Sequence, residues 1–429
     1  VTNTGLSTAS SVTLTDALGA ETSLWFKAVG QLGQVRDPLG HITRLGYDAS
    51  YELTRLTLPN GAYYVYGYDA WGNLTDRVDP LGQRLALTYA PGTNRLESLR
   101  DARNQTMRYS YDGWGNLLAI TYPNNTSEQF TYDPLGNPVE WRNRRGNALE
   151  YTYNAAGQVI RKDYAGGEYV TFTYDPRGNL LTATDSSGTI TMTYDTADNL
   201  TRIAYPTGRY LDFAYDAGNR RVQSVDQDGF TVNYAYDAVG RLASLTDGSG
   251  GPIVAYTYDA AGRLARKDMG NGTYTTYEYD SAGQLLSLRN YAPDGALNSH
   301  FDYTYDSLGR RAQMTTLDGV WEYGYDATGQ LVSVTLPAGR VIEYRYDPAG
   351  NRIAVNDDGD VTDYVTNNLN QYTLVGAAVL GYDADGNLTS KTEGAEAWTY
   401  AYDDENRLVS VASPTDTWAY EYDPFGDRI

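Results

Sequence analysis

Tyr68-Asp69-Ala70-Trp71-Gly72-Asn73-Leu74, Tyr111-Asp112-Gly113-Trp114-Gly115-Asn116-Leu117 and Tyr174-Asp175-Pro176-Arg177-Gly178-Asn179-Leu180 are three copies of one phrase, and that phrase decides the fold. Its form is Tyr-Asp-x-x-Gly-Asn/Arg/Gln followed by an aliphatic residue, and it returns about every 21 positions. Further copies carry Tyr236, Asp237 and Gly240, then Tyr258, Asp259 and Gly262, then Tyr346, Asp347 and Gly350. Counting first residues from Phe26 to Tyr422 gives about twenty copies, with the weakest at Thr366 and the largest insertion around Ala292-Pro293-Asp294-Gly295. So short a period marks an array in which each unit touches mainly its neighbours. Residues 1–429 therefore read as a single array, with 1–25 a degenerate first repeat and 26–429 the repeated motifs.

A second punctuation mark falls between these motifs: Asp16-Ala17-Leu18-Gly19, Asp37-Pro38-Leu39-Gly40, Leu58-Pro59-Asn60-Gly61 and Asp79-Pro80-Leu81-Gly82. Each repeat thus has two turns separated by short runs of strand-forming residues, which is the pattern of a β-hairpin. The turns have a mechanism. In Asp133-Pro134-Leu135-Gly136 the order Asp, Pro, x, Gly suits a type I turn. The carboxylate can accept the N–H two residues on, and the glycine supplies the positive φ that a following bulge requires.

The strand before the turn carries aromatic residues two apart, as in Tyr66/Tyr68, Tyr109/Tyr111, Phe130/Tyr132, Phe172/Tyr174 and Tyr234/Tyr236. Alternate strand residues share a face, so one face is aromatic and the other, with Gly67, Ser110, Thr131, Thr173 and Ala235, is small or polar. Equivalent tyrosines are expected to line up into two stacked ladders. The expected fold is all-β: tandem hairpins of about 21 residues in one long antiparallel ribbon. At ~4.8 Å per strand, about 40 strands would run ~190 Å. Strand twist of about 20–25° makes so long a sheet coil, into a hollow spiral shell or a tubular filament.

Composition narrows the function. The formal charge is −21, much of it from the motif Asp, which argues against nucleic acid and against an anionic membrane surface. There are no cysteines, so disulfides and thiolate metal sites are excluded. No run of 18 apolar residues is present, so no helical membrane span is expected. The chain opens Val1-Thr2-Asn3 without a signal peptide and stops at Asp427-Arg428-Ile429 within a repeat, which reads as a segment of something longer.

These motifs resemble the YD-repeat (Rhs) family from about residue 16 onward. The resemblance is most specific at Asn367-Asn368-Leu369-Asn370-Gln371-Tyr372-Thr373, Tyr382-Asp383-Ala384-Asp385-Gly386-Asn387-Leu388-Thr389 and Tyr402-Asp403-Asp404-Glu405-Asn406-Arg407-Leu408. In toxin-delivering members it implies a β-sheet ribbon wound into a hollow shell around a C-terminal toxin, which a core-domain aspartyl activity releases. Insecticidal toxin complexes and teneurins are similar. The family's core motif and a toxin do not follow in this sequence, so no autoproteolytic residue is transferred. What transfers is the wall.

Other constellations are weak. His41 and His300 are far apart in sequence and are read as surface or strand residues. Most carboxylates occupy turn positions, which leaves no evident acid/base pair. Asp357-Asp358-Gly359-Asp360 and Asp383-Ala384-Asp385-Gly386-Asn387 look like calcium loops, but the twelfth position counted from Asp383 is Gly394, not Glu. Sequons occur at Asn73, Asn104, Asn125, Asn199, Asn271 and Asn387, leaving glycans as an open partner class. No catalytic residue, cofactor or metal is expected. The leading reading is a non-catalytic wall segment of a secreted or surface protein, enclosing a polypeptide. The alternative is a subunit of an extracellular filament or adhesive fibre that pairs with copies of itself. A carbohydrate-active enzyme, suggested only by exposed Tyr and plentiful Asp, ranks third.

Overall fold

The computed structural model describes residues 2–3 and 10–429. Residue 1 and residues 4–9, part of the degenerate first repeat, lie outside the described residues. The chain is all-β, as expected: the described residues form 41 strands and one short 3₁₀ turn at Pro337–Gly339. They form two compact units, each assembled from two stretches remote in sequence. The first holds Val1–Asn104 and Pro252–Thr362, the second Gln105–Gly251 and Asp363–Ile429.

In the first unit the hairpin Tyr63–Tyr68 with Leu74–Val78 shows the rule. Val65 faces Val78, Tyr66 faces Arg77 and Gly67 faces Asp76; the register then shifts, and Tyr68 faces Leu74. In the second unit Thr106–Tyr111 pairs with Leu117–Thr121 in the same way, with the shift again between Ser110 and Tyr111. The shift is a bulge made by the turn. Gly72 N–H donates to Asp69 C=O at 3.2 Å, Asp69 N–H to Asn73 C=O at 3.0 Å, and Gly72 sits at φ +82°. A type I turn closed by a residue in the left-handed region is the three-residue hairpin loop with a glycine bulge. Where glycine is missing, Asn219 (φ 58°) and Asn406 (φ 62°) take its place, as the left-handed tolerance of asparagine allows.

Successive hairpins join by shorter ladders. Arg55, Leu56 and Thr57 pair with Val65, Tyr64 and Tyr63, and the pairing stops before the Tyr-Asp turn. Fully buried side chains are few, with Leu149 and Ile190 in the second unit and Ala354 in the first among the deepest. Most strand positions are half-buried, so cohesion depends on backbone ladders and side-chain ties more than on a thick core.

The expected tyrosine ladders do not form. Equivalent strands of successive hairpins are separated by a return strand, so they lie roughly 10 Å apart, beyond the 4.5–7 Å of an aromatic pair. Close ring pairs among the described residues fall elsewhere, at Tyr274 with Tyr291 (4.6 Å) and Tyr364 with Tyr372 (5.3 Å). The larger Trp398 and Trp418, at equivalent positions, do stack, at 6.0 Å and 5°.

Candidate functional site

The motif residues act within their own turns. Asp69 Oδ1 accepts N–H from Trp71 (2.8 Å) and Asn73 (2.9 Å), and its Oδ2 accepts the Asn73 amide at 2.9 Å. Asp112 repeats this with Trp114, Gly115 and Asn116, and Asp175 with Arg177 and Asn179. At most Tyr-Asp turns the fifth residue carries an N–H that reaches the second carboxylate oxygen, with Glu52 after Asp48 and Asp427 after Asp423 as exceptions. Asn351 does so for Asp347 at 2.9 Å, Gln284 for Asp280 at 2.7 Å, and Arg241 and Arg263 for Asp237 and Asp259 at 2.7 Å each. His41 does the same for Asp37 at 2.9 Å in the alternate turn, while His300, on a strand, pairs with Asp302. The bond from the neighbouring asparagine is the largest influence on Asp69 and Asp175 and holds both carboxyls below the ordinary carboxylate range. The sequon residues Asn73, Asn199 and Asn387 have their amide nitrogens engaged by this bond.

The motif tyrosine continues the ladder where the backbones stop pairing. Tyr68 donates its hydroxyl to Leu53 C=O at 3.0 Å, Tyr174 to Val159 at 2.8 Å, Tyr236 to Arg221 at 2.8 Å and Tyr346 to Leu331 at 2.7 Å. Where the fifth turn residue is arginine, its guanidinium also lies over the next motif tyrosine: Arg220 over Tyr236 (4.8 Å), Arg263 over Tyr279 (4.7 Å) and Arg407 over Tyr422 (4.9 Å). Tyr258 starts the turn of Asp259 and Gly262, and Tyr111 that of Asp112 and Gly115. These sets do not converge on one pocket. They recur singly, one per turn.

The convergent site is a seam that the repeat pattern does not announce. In the second unit the turn at residues 143–147 meets turns about 240–260 residues later. Arg145 Nε pairs with Asp385 Oδ2 at 2.5 Å, and its Nη1 donates to Tyr402 C=O at 3.2 Å. Its Nη2 bonds Asp403 C=O and, at 3.2 Å, Asn406 Oδ1. The Arg145 side chain is 20% exposed and that of Asp385 only 2%. Asn143 Nδ2 donates to Asp404 C=O at 3.2 Å and Asn147 Nδ2 to Asp404 Oδ1 at 2.6 Å. One hairpin further, Lys162 Nζ and the Tyr164 hydroxyl both reach Glu405, at 2.7 Å each. Burial alone would raise the Glu405 carboxyl, but the bonds from Lys162 and Tyr164 outweigh it and hold it below its ordinary value. Asn368 Nδ2 donates to Pro123 C=O at 3.0 Å, across 245 residues. The first unit has its own seam, where Arg103 meets Asp347 at 3.3 Å.

The signal for this seam was present as departures from the repeat. Asn143-Arg144-Arg145-Gly146-Asn147 replaces the usual acidic first residue by Asn and adds two arginines. Asp403-Asp404-Glu405-Asn406-Arg407 replaces the turn's small residues by acids and its glycine by Asn. The arrangement is a set of complementary charges and carbonyls that clasps two remote turn edges. Its groups are saturated by one another, which suits cohesion. Among the described residues no group of three metal-ligating side chains stands together.

Comparison with known proteins gives consistent matches. The sequence model of the Teneurin YD-shell family matches residues 139–275 and 205–321. That of the RHS Repeat matches residues 52–84, 68–106, 91–127, 325–362 and 382–417. The tRNA nuclease WapA of Bacillus subtilis (strain 168) is 32% identical over 97 residues, 23% of this chain and 4% of that protein. The double-stranded DNA deaminase toxin A of Burkholderia cenocepacia (strain H111) is 26% identical over 166 residues, 35% of this chain and 12% of that protein. Among solved structures, the Photorhabdus luminescens Tc holotoxin pore is similar at 15% identity and a TM-score of 0.47, over 94% of this chain and 30% of that one. The matched stretches thus span a small part of these curated relatives.

Proposed function

We propose that this chain, which belongs to the YD-repeat (Rhs) family, is a non-catalytic wall segment of a secreted or surface protein, and that its work is to enclose a polypeptide. Residues 1–429 then act as one array, and the Tyr, Asp and Gly of each motif are its mortar. The observation that carries this reading is the seam: remote turn edges are clasped by buried, mutually satisfied polar groups, which is what a wall needs and an active site does not. The shell-type repeats to which the chain belongs are structural, in keeping with this role. Among the described residues no helix is long and apolar enough to cross a membrane. The negative charge disfavours nucleic acid as a partner.

The test is protection. A protease-sensitive, tagged polypeptide is co-expressed in fusion with the chain, and digestion is followed by blotting while images of the particles are taken in negative stain. Protection of the passenger together with a stain-filled cavity supports the wall. A passenger digested as fast as when free, or particles without a cavity, defeats it. Light scattering on the same samples separates a closed wall from a fibre that grows by self-association.

A further inference from the structure

One sheet face in the second unit brings rings, ion pairs and hydroxyls together on neighbouring strands. Ladder partners, and residues two apart along a strand, share a face. By that rule Thr171, Thr184 and Thr189 form one row across the strands Tyr169–Tyr174, Leu180–Asp185 and Gly188–Tyr194, and Thr173, Thr182 and Thr191 form the next. The opposite face of these strands carries Phe172, Ala183 and Ile190, the last two buried, whereas Thr173 and Thr191 are exposed. Hydroxyls pair between Thr173 and Thr182 at 2.6 Å and between Thr184 and Thr189 at 2.9 Å. Those of Thr171 and Thr191 have no protein partner among the described residues. The grid is flanked on both sides by a tyrosine under a guanidinium that a carboxylate holds in place. Arg161 lies 4.0 Å over Tyr169, and its Nε and Nη2 donate to Asp163 at 2.8 and 2.5 Å. Arg202 lies 4.3 Å over Tyr210, and its Nε and Nη2 donate to Asp212 at 2.5 and 2.6 Å. Arg161 faces Thr171 and Asp163 faces Tyr169, while Arg202 faces both Thr193 and Asp212, so both platforms lie on the threonine face.

We infer that this face binds a neutral, linear polysaccharide. A pyranose has C–H groups on its flat side, which the electron-rich face of an aromatic ring attracts. Around its rim it has hydroxyls, each a donor and an acceptor, as a threonine hydroxyl is. Tyr169 keeps 47% of its surface exposed beside Arg161. The charges cancel within each Arg–Asp pair, and the three threonine strands put no charged side chain on this face, so an uncharged, hydroxyl-rich partner is the one that matches it. The two tyrosines stand four strands apart, about 19 Å, which suits several sugars in a row better than a single one. A polypeptide is recognised through backbone groups at a sheet edge or through an apolar groove, and a hydroxyl-bearing sheet face offers neither. None of these residues belongs to the seam, and the inference does not rest on the wall reading.

The probes are hydroxyethylcellulose, galactomannan and dextran, each cast at graded concentrations into native gels through which the full chain migrates. At least one should retard it. Tyr169→Ala with Tyr210→Ala should raise the dissociation constant for that polymer about tenfold, and Thr182→Val with Thr191→Val about threefold. Tyr169→Phe with Tyr210→Phe keeps both rings and should stay within about twofold. Trp114→Ala with Phe230→Ala removes two exposed rings at turns of the same unit and should leave retardation unchanged. Unchanged circular dichroism keeps folding out of the comparison. Migration unaffected by all three polymers would overturn the inference. Equal losses in the two aromatic-to-alanine pairs would overturn it as general adhesion by exposed rings. Equal retardation in gels cast with gelatin, with the same variant dependence, would overturn the assignment to a carbohydrate. Passenger protection in the earlier experiment could fail with this result intact, and the reverse.

Discussion

Arg145→Ala is the most informative perturbation of the seam. The substitution leaves Asp385, whose side chain is 2% exposed, with the backbone N–H of residue 145 but no guanidinium, and removes donors from Tyr402 C=O, Asp403 C=O and Asn406. Breaking a buried ion pair from one side costs about 3–5 kcal/mol. Because Arg145 keeps 20% exposure, the lower end, about 3 kcal/mol, is the expected loss, or about a hundredfold in the local opening equilibrium. A long repeat array does not unfold in one step, so a global melting point would blur this effect. The suitable assay is hydrogen exchange by mass spectrometry over residues 383–387 and 402–407. Exchange there should accelerate about a hundredfold, while hairpins outside the seam keep their rates. Asp385→Asn in the Arg145→Ala background should recover part of the protection by removing the stranded charge. Arg145→Lys should recover little, because a single ammonium nitrogen with three N–H groups cannot span the four acceptors that the planar guanidinium reaches. Unchanged exchange at residues 383–407 in Arg145→Ala, or full rescue by lysine, would refute the reasoning.

Three further outcomes follow from the turns and strands. Tyr68→Phe removes the donor to Leu53 C=O and should lower stability of the surrounding hairpins by about 0.5–1.5 kcal/mol in urea denaturation; no change would mean the hydroxyl tie is idle. Gly136→Ala, at φ +86° with nothing near the added carbon, isolates backbone strain of about 1–2 kcal/mol, and Gly136→Asn should cost less; equal costs would point to a steric cause. The motif carboxyls of Asp69, Asp133, Asp175 and Asp195 are held below their ordinary value, chiefly by the neighbouring asparagine. Folded-state values depressed in this way give stability that is present above the unfolded pKa of about 4 and lost as pH falls through the lowered values. Circular dichroism should therefore hold from neutral pH down to about pH 4 and decline below it, with Glu405 adding to the loss; a decline centred near pH 6 would contradict this.

The hairpins were legible because their causes are local. A type I turn, a carboxylate reaching N–H groups two and four residues on, and a positive φ at Gly72 all lie within one motif. The alternation of strand faces was equally readable. The tyrosine role was only half legible: period 2 placed the rings on one face, but the return strand between equivalent positions keeps them apart, and their hydroxyls bond backbone instead. The seam was not legible. Which turn meets which, 240 to 261 residues away, depends on accumulated twist and curvature, which no single motif encodes. Only the broken motifs at residues 143–147 and 403–407 betrayed it.

Zero-length carbodiimide coupling tests the central claim most directly, because it joins amines only to carboxylates already in contact. Lys162 Nζ lies 2.7 Å from Glu405 Oε1, across 243 residues of sequence. Peptide mapping by mass spectrometry should find Lys162 joined to Glu405. Lys162 joined only to carboxylates of its own or adjoining hairpins, with Glu405 unmodified, would contradict the clasped ribbon.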